Sequence, residues 1–388
     1  MPDAEIYEIC FLLTDKILNF GAVSCARYYN MKLNKDLTAI MKGYGILFVA
    51  LHNFLHLSLF ADFVQENENT YDIQRTWDYL AVLRSFEWSD IGQFFSFLGW
   101  IGVAVFIFLS GYGLVKKYET TGEEFSIKNH VFHSWTKLAV LLFLPQLIYI
   151  IFSLYNGTWQ AYIPQGILQQ ALLANLFTPF IGVYPGVYWY FGLAFEMYLL
   201  YCVVRKCNVR QLFVISLVML LLQAVTVMIW GPVSGVWSWV RHNFIGWGQV
   251  FLAGMILAKS DSEKYLPGKA WVAWIIAALS LASLPFLLLN GWTWLLIVPY
   301  VALLFFLSLT VAVSKTFVLK RVGLWLGKYS AFIFVTHPIV RTVMAHFYDR
   351  VTIPLWLSTL LYTICFILGA IAYKPVYQWL MRRVPKLH

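Results

Sequence analysis

The length, composition and charge of this chain exclude several classes of protein. Its 388 residues are 60% apolar and only 12% charged, with a mean hydropathy of +0.69, whereas soluble globular domains carry about 25% charged residues. A soluble globular protein, a disordered chain and a collagen are therefore excluded. The net charge is +9. In a membrane protein, the distribution of the lysines and arginines along the chain indicates which loops face the cytoplasm. We expect the lipid bilayer as a partner and no nucleic acid.

The first 36 residues form a segment of their own. Apolar residues recur there at helical spacing, but Asp15 and Lys16 interrupt the run. The acidic residues Asp3 and Glu5 stand where a secretory signal carries positive charge. The pattern predicts an amphipathic N-terminal helix, within residues 1–36, that lies in the membrane interface.

Ten later stretches are long and apolar enough to cross about 30 Å of hydrocarbon as helices. They are 37–60, 91–115, 132–155, 187–204, 209–230, 244–259, 270–289, 292–313, 322–345 and 354–374. An eleventh stretch, 167–183, contains Gln169, Gln170 and Asn175. The sequence predicts an all-α polytopic membrane protein with one transmembrane domain at 37–380 and a basic tail at 381–388.

The loop charges decide between ten and eleven spans. With ten spans, the lysine and arginine clusters of the loops all fall on one side, and the acid-rich loop 61–90 falls on the other. Because lysine and arginine predominate in cytoplasmic loops, both termini are then cytoplasmic. The stretch 167–183 becomes a re-entrant or interfacial segment.

The first span contains four polar residues that are costly in lipid: Lys42, His52, Asn53 and His56. At about 100° per residue they share an arc of about 100°, with Lys42 about 15 Å from His52 along the helix axis. This pattern predicts a basic group at the cytoplasmic mouth and an imidazole pair deeper in the membrane. Two alternatives stay open: His52 and Asn53 hold helices together, or Lys42 extends to the lipid headgroups.

Three further spans contain polar candidates. The second contains Ser110 and ends in Lys116 and Lys117, which would hold phosphates or mark topology. In the fourth, Glu196 is the one acidic residue predicted deep in a span, and it has a catalytic or an ion-pairing role. The fourth span also contains Tyr188 and Trp189, which would contact the substrate or form part of an aromatic belt at the membrane interface.

In the ninth span, His337 and Arg341 are four residues apart and share a helical face. They are candidates for the same site or for a structural pair. Phosphate-binding glycine loops, nucleophile elbows and zinc-ligand spacings are absent from the sequence. We therefore expect no metal cofactor.

Five segments, in their order along the chain, resemble the integral-membrane acyltransferase family 3, the O-acyltransferases that modify glycans. They are KGYGILFVALHNFLH, GVAVFIFLSGYGL, YWYFGLAFEMYLLY, GWGQVFLAGMILAK and LGKYSAFIFVTHPIVR. The resemblance runs from about residue 37 to 345. It implies ten core helices in a bacterial cytoplasmic membrane.

The resemblance also implies a reaction. An acyl-coenzyme A donor, usually acetyl-CoA, is reached from the cytoplasm, and the acyl group passes to a hydroxyl of a surface or lipid-linked carbohydrate. The family hallmark is an arginine followed, after ten residues, by a histidine. Here Lys42 takes the arginine position, and nine residues separate it from His52.

We assign expected roles on this basis. The residues His52, Glu196 and His337 are the catalytic candidates, with His52 as base or transient acyl carrier. The substrate-binding candidates are Asn53, His56, Ser110, Tyr188, Trp189 and Arg341. The coenzyme phosphates would contact Lys42, Lys116 and Lys117. The competing hypothesis is a proton-coupled transporter or flippase of a glycan or small polar solute. The sequence does not specify the acceptor, the acyl chain length or the oligomeric state.

Overall fold

The computed structural model describes residues 32–56, 63–84, 90–157, 164–173, 186–260, 267–348 and 353–384. Within these ranges the chain forms fifteen α-helices and no β-strand, which confirms the all-α prediction. The predicted interfacial helix lies, up to residue 31, outside the described residues.

The helices follow one another as α1 Lys35–Leu55, α2 Ile73–Arg84, α3 Asp90–Leu98, α4 Gly102–Val115, α5 Ile127–Tyr155, α6 Pro164–Leu172, α7 Trp189–Val204, α8 Val209–Trp230, α9 Gly235–Arg241, α10 Phe244–Lys259, α11 Ala270–Leu287, α12 Gly291–Leu296, α13 Val298–Ser314, α14 Phe317–Tyr348 and α15 Leu355–Met381. A 3-10 turn, Gly99–Ile101, joins α3 to α4.

Seven helical runs of the described chain are long and apolar enough to cross a membrane: α1, α5, α8, α11, α15 and the runs Ile91–Thr120 and Gly186–Val204. Each coincides with a predicted span. The predicted spans 244–259 and 292–313 correspond to shorter helices, α10 with 16 residues and α13 with 17. A third predicted span that does not meet the criterion, 322–345, lies within α14, where Lys328, His337 and Arg341 lower the hydropathy. The structure therefore supports seven of the ten spans. Of the stretch 167–183, residues 167–173 are described, and all but the last of them lie in the short helix α6.

The helix α1, which carries most of the candidate residues, begins at a polar cap. The Oδ1 atom of Asn34 accepts a hydrogen bond of 2.9 Å from the backbone N–H of Leu37, which satisfies one of the donors that a helix N-terminus leaves free. The buried face of α1 then runs from Leu37 to Leu55. Its most extensive packing is against α14.

Glycines allow α1 and α14 to approach closely. A Cβ atom on Gly43 would overlap the backbone of Gly323, and one on Gly327 would overlap the backbone of Ala39. Lipid tails are as apolar as leucine, so close van der Waals packing is the main attraction between helices in a membrane. The α1–α14 contact places the polar faces of the two helices side by side.

We expect Gly327→Ala to destabilise the folded protein by about 1–3 kcal/mol, because the added Cβ forces two backbones apart. Thermal unfolding in detergent, measured as Tm, tests this. The matched control is Gly113→Ala, since a Cβ on Gly113 meets nothing within 4 Å. An equal Tm for both variants would show that the α1–α14 contact does not depend on the glycine.

Candidate active site

The imidazole of His52 is held by a neighbouring helix end. Its Nδ1 lies 2.9 Å from the carbonyl oxygen of Ser96 and 3.3 Å from that of Phe95. Both carbonyls belong to the last turn of α3, directly before the 3-10 turn Gly99–Ile101. A carbonyl only accepts hydrogen bonds, so Nδ1 carries the proton and Nε2 has the free lone pair. Gly99 permits this contact, because a Cβ there would lie 2.6 Å from the Cβ of His52.

Two glutamates lie beside this imidazole. They belong to residues 63–72, which we call the acidic loop. The Oε2 atom of Glu68 is 4.0 Å from Nε2 of His52, and Oε2 of Glu66 is 2.9 Å from Nδ1 of His56. The two imidazole rings stack, with centroids 5.3 Å apart. We call His52, His56, Glu66 and Glu68 the histidine–glutamate cluster.

The two glutamates have opposite tendencies to ionise. Burial by itself would raise the pKa of Glu66, but the hydrogen bond with His56 and attraction to both imidazoles outweigh it and lower the pKa to about 2. For Glu68, burial and the negative charge of Glu66 raise the pKa, and Arg241 opposes the rise only partly. The cluster therefore combines one ionised carboxylate with one carboxyl that tends to stay neutral.

The acidic loop is anchored by side chains from other elements. The buried guanidinium of Arg241 donates from Nε to the carbonyl oxygen of Glu68 at 3.1 Å and stacks on the ring of Trp247. From α2, Nη1 of Arg75 donates to the carbonyl oxygen of Glu66 at 2.7 Å. The indole N–H of Trp294 donates to the carbonyl oxygen of Asn67. These contacts hold the loop backbone and leave the glutamate carboxyl groups directed at the histidines.

Two predicted residues of α14 lie close to the same part of α1. The Nη1 atom of Arg341 donates to the carbonyl oxygen of Asn53 at 3.2 Å and approaches its Oδ1 at 3.5 Å. The fully buried His337 binds the carbonyl oxygen of Ile333 through Nδ1. The structure thus brings the predicted residues of the first and ninth spans together.

A cavity of about 320 Å³ lies toward the Lys42 end of α1. We call it the lysine chamber, because Lys42, Lys117 and Lys137 line it and its described lining contains no acidic residue. The predicted Ser110 also lines it, with Tyr190 and Tyr198. Such a chamber attracts anions. A second cavity of about 490 Å³ shares Lys117 with the chamber and contains His130 and His133.

An aromatic layer lines the chamber on the side of His337. The rings of Phe106, Tyr190 and Phe334 line the chamber and pack together, with centroids 4.8–6.3 Å apart. The ring of Phe334 contacts that of His337 at 5.8 Å. The described lining of the chamber does not include His52.

The sequence profile of a family described as an acyltransferase domain, acyltransferase family 3, matches residues 39–374. The chain belongs to this family. The match covers most of the chain, including all the candidate residues, and confirms the resemblance inferred from its motifs. No curated protein and no solved structure matches the chain. With its long apolar helices, the protein is a membrane acyltransferase.

Four predicted residues of this acyltransferase have contacts elsewhere. The Oε2 atom of Glu196 accepts from the backbone N–H of Phe244, the first residue of α10. Tyr188 donates to the carbonyl oxygen of Val335, and Trp189 packs edge-on against His242. The ammonium of Lys116 lies over the Tyr112 ring, outside the described chamber lining. Their functional roles stay predictions.

The ligand atoms of His52, Glu66 and Glu68 lie within 4.8 Å of one another, which is close enough for a divalent cation. The carbonyl contacts of His52 Nδ1 resemble the outer contacts that orient metal-bound histidines. The sequence indicated no metal. Against a metal, His56 already pairs with Glu66, and the geometry equally suits proton transfer.

Sequence reasoning missed Glu66, Glu68 and Lys137. The two glutamates counted only toward the charge of an external loop, and Lys137 lies in an apolar span. No spacing in the sequence relates them to His52 or Lys42, because the contacts join segments far apart in the chain. The sequence feature that could have identified them is an ionisable side chain inside a predicted span, for Lys137, or in a loop next to one, for the two glutamates.

We expect Glu66→Gln to destabilise the folded acyltransferase by about 3 kcal/mol at neutral pH, because His56 loses its charged partner. A carboxyl with a lowered pKa contributes stability above its ordinary value of 4.5 and loses it as pH falls toward about 2. The Tm difference between wild type and variant should therefore shrink across that window.

The matched control is Asp78→Asn in α2. Its carboxylate is exposed and accepts a hydrogen bond from Gln74, so the expected change is within about 0.5 kcal/mol. A Tm difference for Glu66→Gln that is constant with pH would contradict the ion pair.

Proposed function

We propose that this acyltransferase moves an acyl group, in the form of acetyl, from acyl-CoA to a hydroxyl of a carbohydrate acceptor. The observation that carries the proposal is the orientation of His52. With Nδ1 bound to carbonyls of α3, the ring presents an Nε2 lone pair to the histidine–glutamate cluster. A neutral imidazole can take up a proton at its ring nitrogen and is therefore suited to act as a general base.

The proposed reaction balances without a cofactor beyond the acyl donor. Nε2 of His52 takes the proton of the acceptor hydroxyl while the hydroxyl oxygen attacks the thioester carbonyl. The C–S bond then breaks, and the departing thiolate takes the proton from the imidazolium. In a second route, Nε2 itself attacks the thioester carbonyl and the thiolate leaves. The acceptor hydroxyl then attacks the acyl carbon, the C–N bond breaks, and the hydroxyl proton passes to the thiolate.

The lysine chamber supports the donor side of this proposal. Coenzyme A carries a diphosphate and a further phosphate, and a chamber with three ammonium groups favours such an anion. The proposed contacts are Lys42, Lys117 and Lys137, with Lys116 nearby, and the second cavity offers room for the nucleotide. The lysines would face the cytoplasm. The thioester would have to pass the aromatic layer, which favours a small acyl group.

The acceptor would approach from the side of the acidic loop. The proposed contacts are Asn53, His56 and Arg341, whose amide, imidazole and guanidinium groups suit sugar hydroxyls and anionic sugars. A surface or lipid-linked glycan of a bacterial cytoplasmic membrane fits an acceptor that lies opposite the coenzyme.

We expect His52→Gln to abolish transfer, because glutamine cannot take up a proton. The assay incubates membranes that contain the protein and the glycans of its host with acetyl-labelled CoA, and measures label in the glycan fraction. The matched control is His346→Gln, a histidine whose ring packs against Phe152. Label at the wild-type level in a folded His52→Gln variant would sink the proposal. Substrate-driven proton flux in liposomes, without transfer, would support the transporter hypothesis.

We expect Lys42→Ala and Lys137→Ala each to raise KM for acetyl-CoA about tenfold, the equivalent of about 1.4 kcal/mol. The effect on kcat should be smaller, because the lysines contact the non-reacting part of the donor. Steady-state kinetics of the labelled transfer measure both constants. The control is Lys315→Ala, an exposed lysine outside the chamber lining. A lower kcat with an unchanged KM for acetyl-CoA would show that these lysines do not bind the coenzyme.

A further inference from the structure

Glu68 is the carboxyl group that faces the reactive nitrogen of His52. Its side chain is nearly buried, and its Oε2 lies 4.0 Å from Nε2. Its main chain is fixed by Arg241, which donates to the carbonyl oxygen rather than to the carboxyl group. The carboxyl is therefore positioned at the imidazole through its backbone.

The 4.0 Å separation is too long for a direct hydrogen bond. It matches the separation of two groups that each bind one shared oxygen atom at about 2.8 Å, the length of an ordinary hydrogen bond. Two oxygens on the same carbon, one near each atom, fit equally. This is the arrangement of a tetrahedral intermediate in acyl transfer, with the attacking oxygen and the former carbonyl oxygen on one carbon.

The surroundings of Glu68 favour its neutral form. Burial and the charge of Glu66 raise its pKa, and the opposing charge of Arg241 does not reverse the rise. The other titratable or charged groups of the packed elements are His52 from α1, His56 directly after it, Arg75 from α2, and His337 and Arg341 from α14. A neutral carboxyl has an O–H that donates, whereas a carboxylate only accepts.

We propose that Glu68 is a catalytic residue whose neutral carboxyl donates a hydrogen bond to the oxygen that becomes negative on the acyl carbon. This inference rests on the proposed function. His52 takes the proton of the acceptor hydroxyl, and Glu68 keeps its own proton throughout. When the C–S bond breaks, the oxygen returns to a carbonyl and the imidazolium proton passes to the thiolate. The two groups thus stabilise opposite charges in the same step.

The experiment compares three variants by the pH profile of labelled acetyl transfer. Glu68→Gln retains an N–H donor but cannot ionise. We expect it to remain within about tenfold of wild type at neutral pH and to lose the alkaline fall in activity that wild type shows as Glu68 deprotonates. Glu68→Ala removes the donor and should lower kcat about 100-fold or more. Asp78→Asn, an exposed acid of α2, should keep the wild-type profile.

A second readout is independent of turnover. A protonated carboxyl has an infrared C=O stretch distinct from that of a carboxylate. Wild type in nanodiscs should show a band at neutral pH that disappears at alkaline pH and is missing in Glu68→Gln. If Glu68 had only a structural role, the Glu68→Gln variant would not combine continued acetyl transfer with the loss of the alkaline fall in activity.

Several outcomes overturn the inference. They are the same alkaline fall in Glu68→Gln as in wild type, full activity of Glu68→Ala, or absence of the infrared band. Transfer that a chelator abolishes and Mn²⁺ restores would make Glu68 a metal ligand instead. In all these cases wild type still transfers acetyl and His52→Gln does not. Failure of the proposed function is different, because wild type itself then transfers no acetyl.

Discussion

An imidazole inside a membrane protein needs a fixed partner for its N–H, and the end of α3 supplies one for His52. The helix α3 passes at Leu98 into the 3-10 turn Gly99–Ile101, and there the carbonyls of Phe95 and Ser96 accept from Nδ1. Gly99 allows the two backbones to meet. This single contact sets the tautomer of His52 and the direction of its Nε2.

Two separated sets of ionisable groups lie along α1. Three lysines line a chamber near its N-terminal end, and the histidine–glutamate cluster lies near its C-terminal end. An aromatic layer around Phe334 lies on the side of the chamber nearest His337. Charge is costly in a low-dielectric interior, and the two sets keep the ammonium groups apart from the paired imidazole and carboxyl groups. A reaction between a cytoplasmic donor and an acceptor on the opposite side would use both sets.

Much of the site was accessible from helical periodicity. One turn of a helix brings residues three and four apart together, so Asn53 and His56 could be assigned to one face with His52, and His337 to one face with Arg341. The span boundaries followed from apolar length, although α10, α13 and α14 show that length and hydropathy alone do not settle the number of crossings. Periodicity did not reveal the partner of Glu196, because that partner is the backbone N–H at the start of a different helix, α10.

The sequence by itself determined the fold class, the family and the polar face of the first span, because these depend on composition, order and the 3.6-residue helical repeat. Only the tertiary structure decided which residues from other segments meet that face. Glu68 reaches His52 because Arg241 and Trp294 anchor the acidic loop, and Lys137 joins Lys42 because α5 lies beside the chamber. Such contacts depend on how distant segments pack, and periodicity within one helix carries no information about its neighbours.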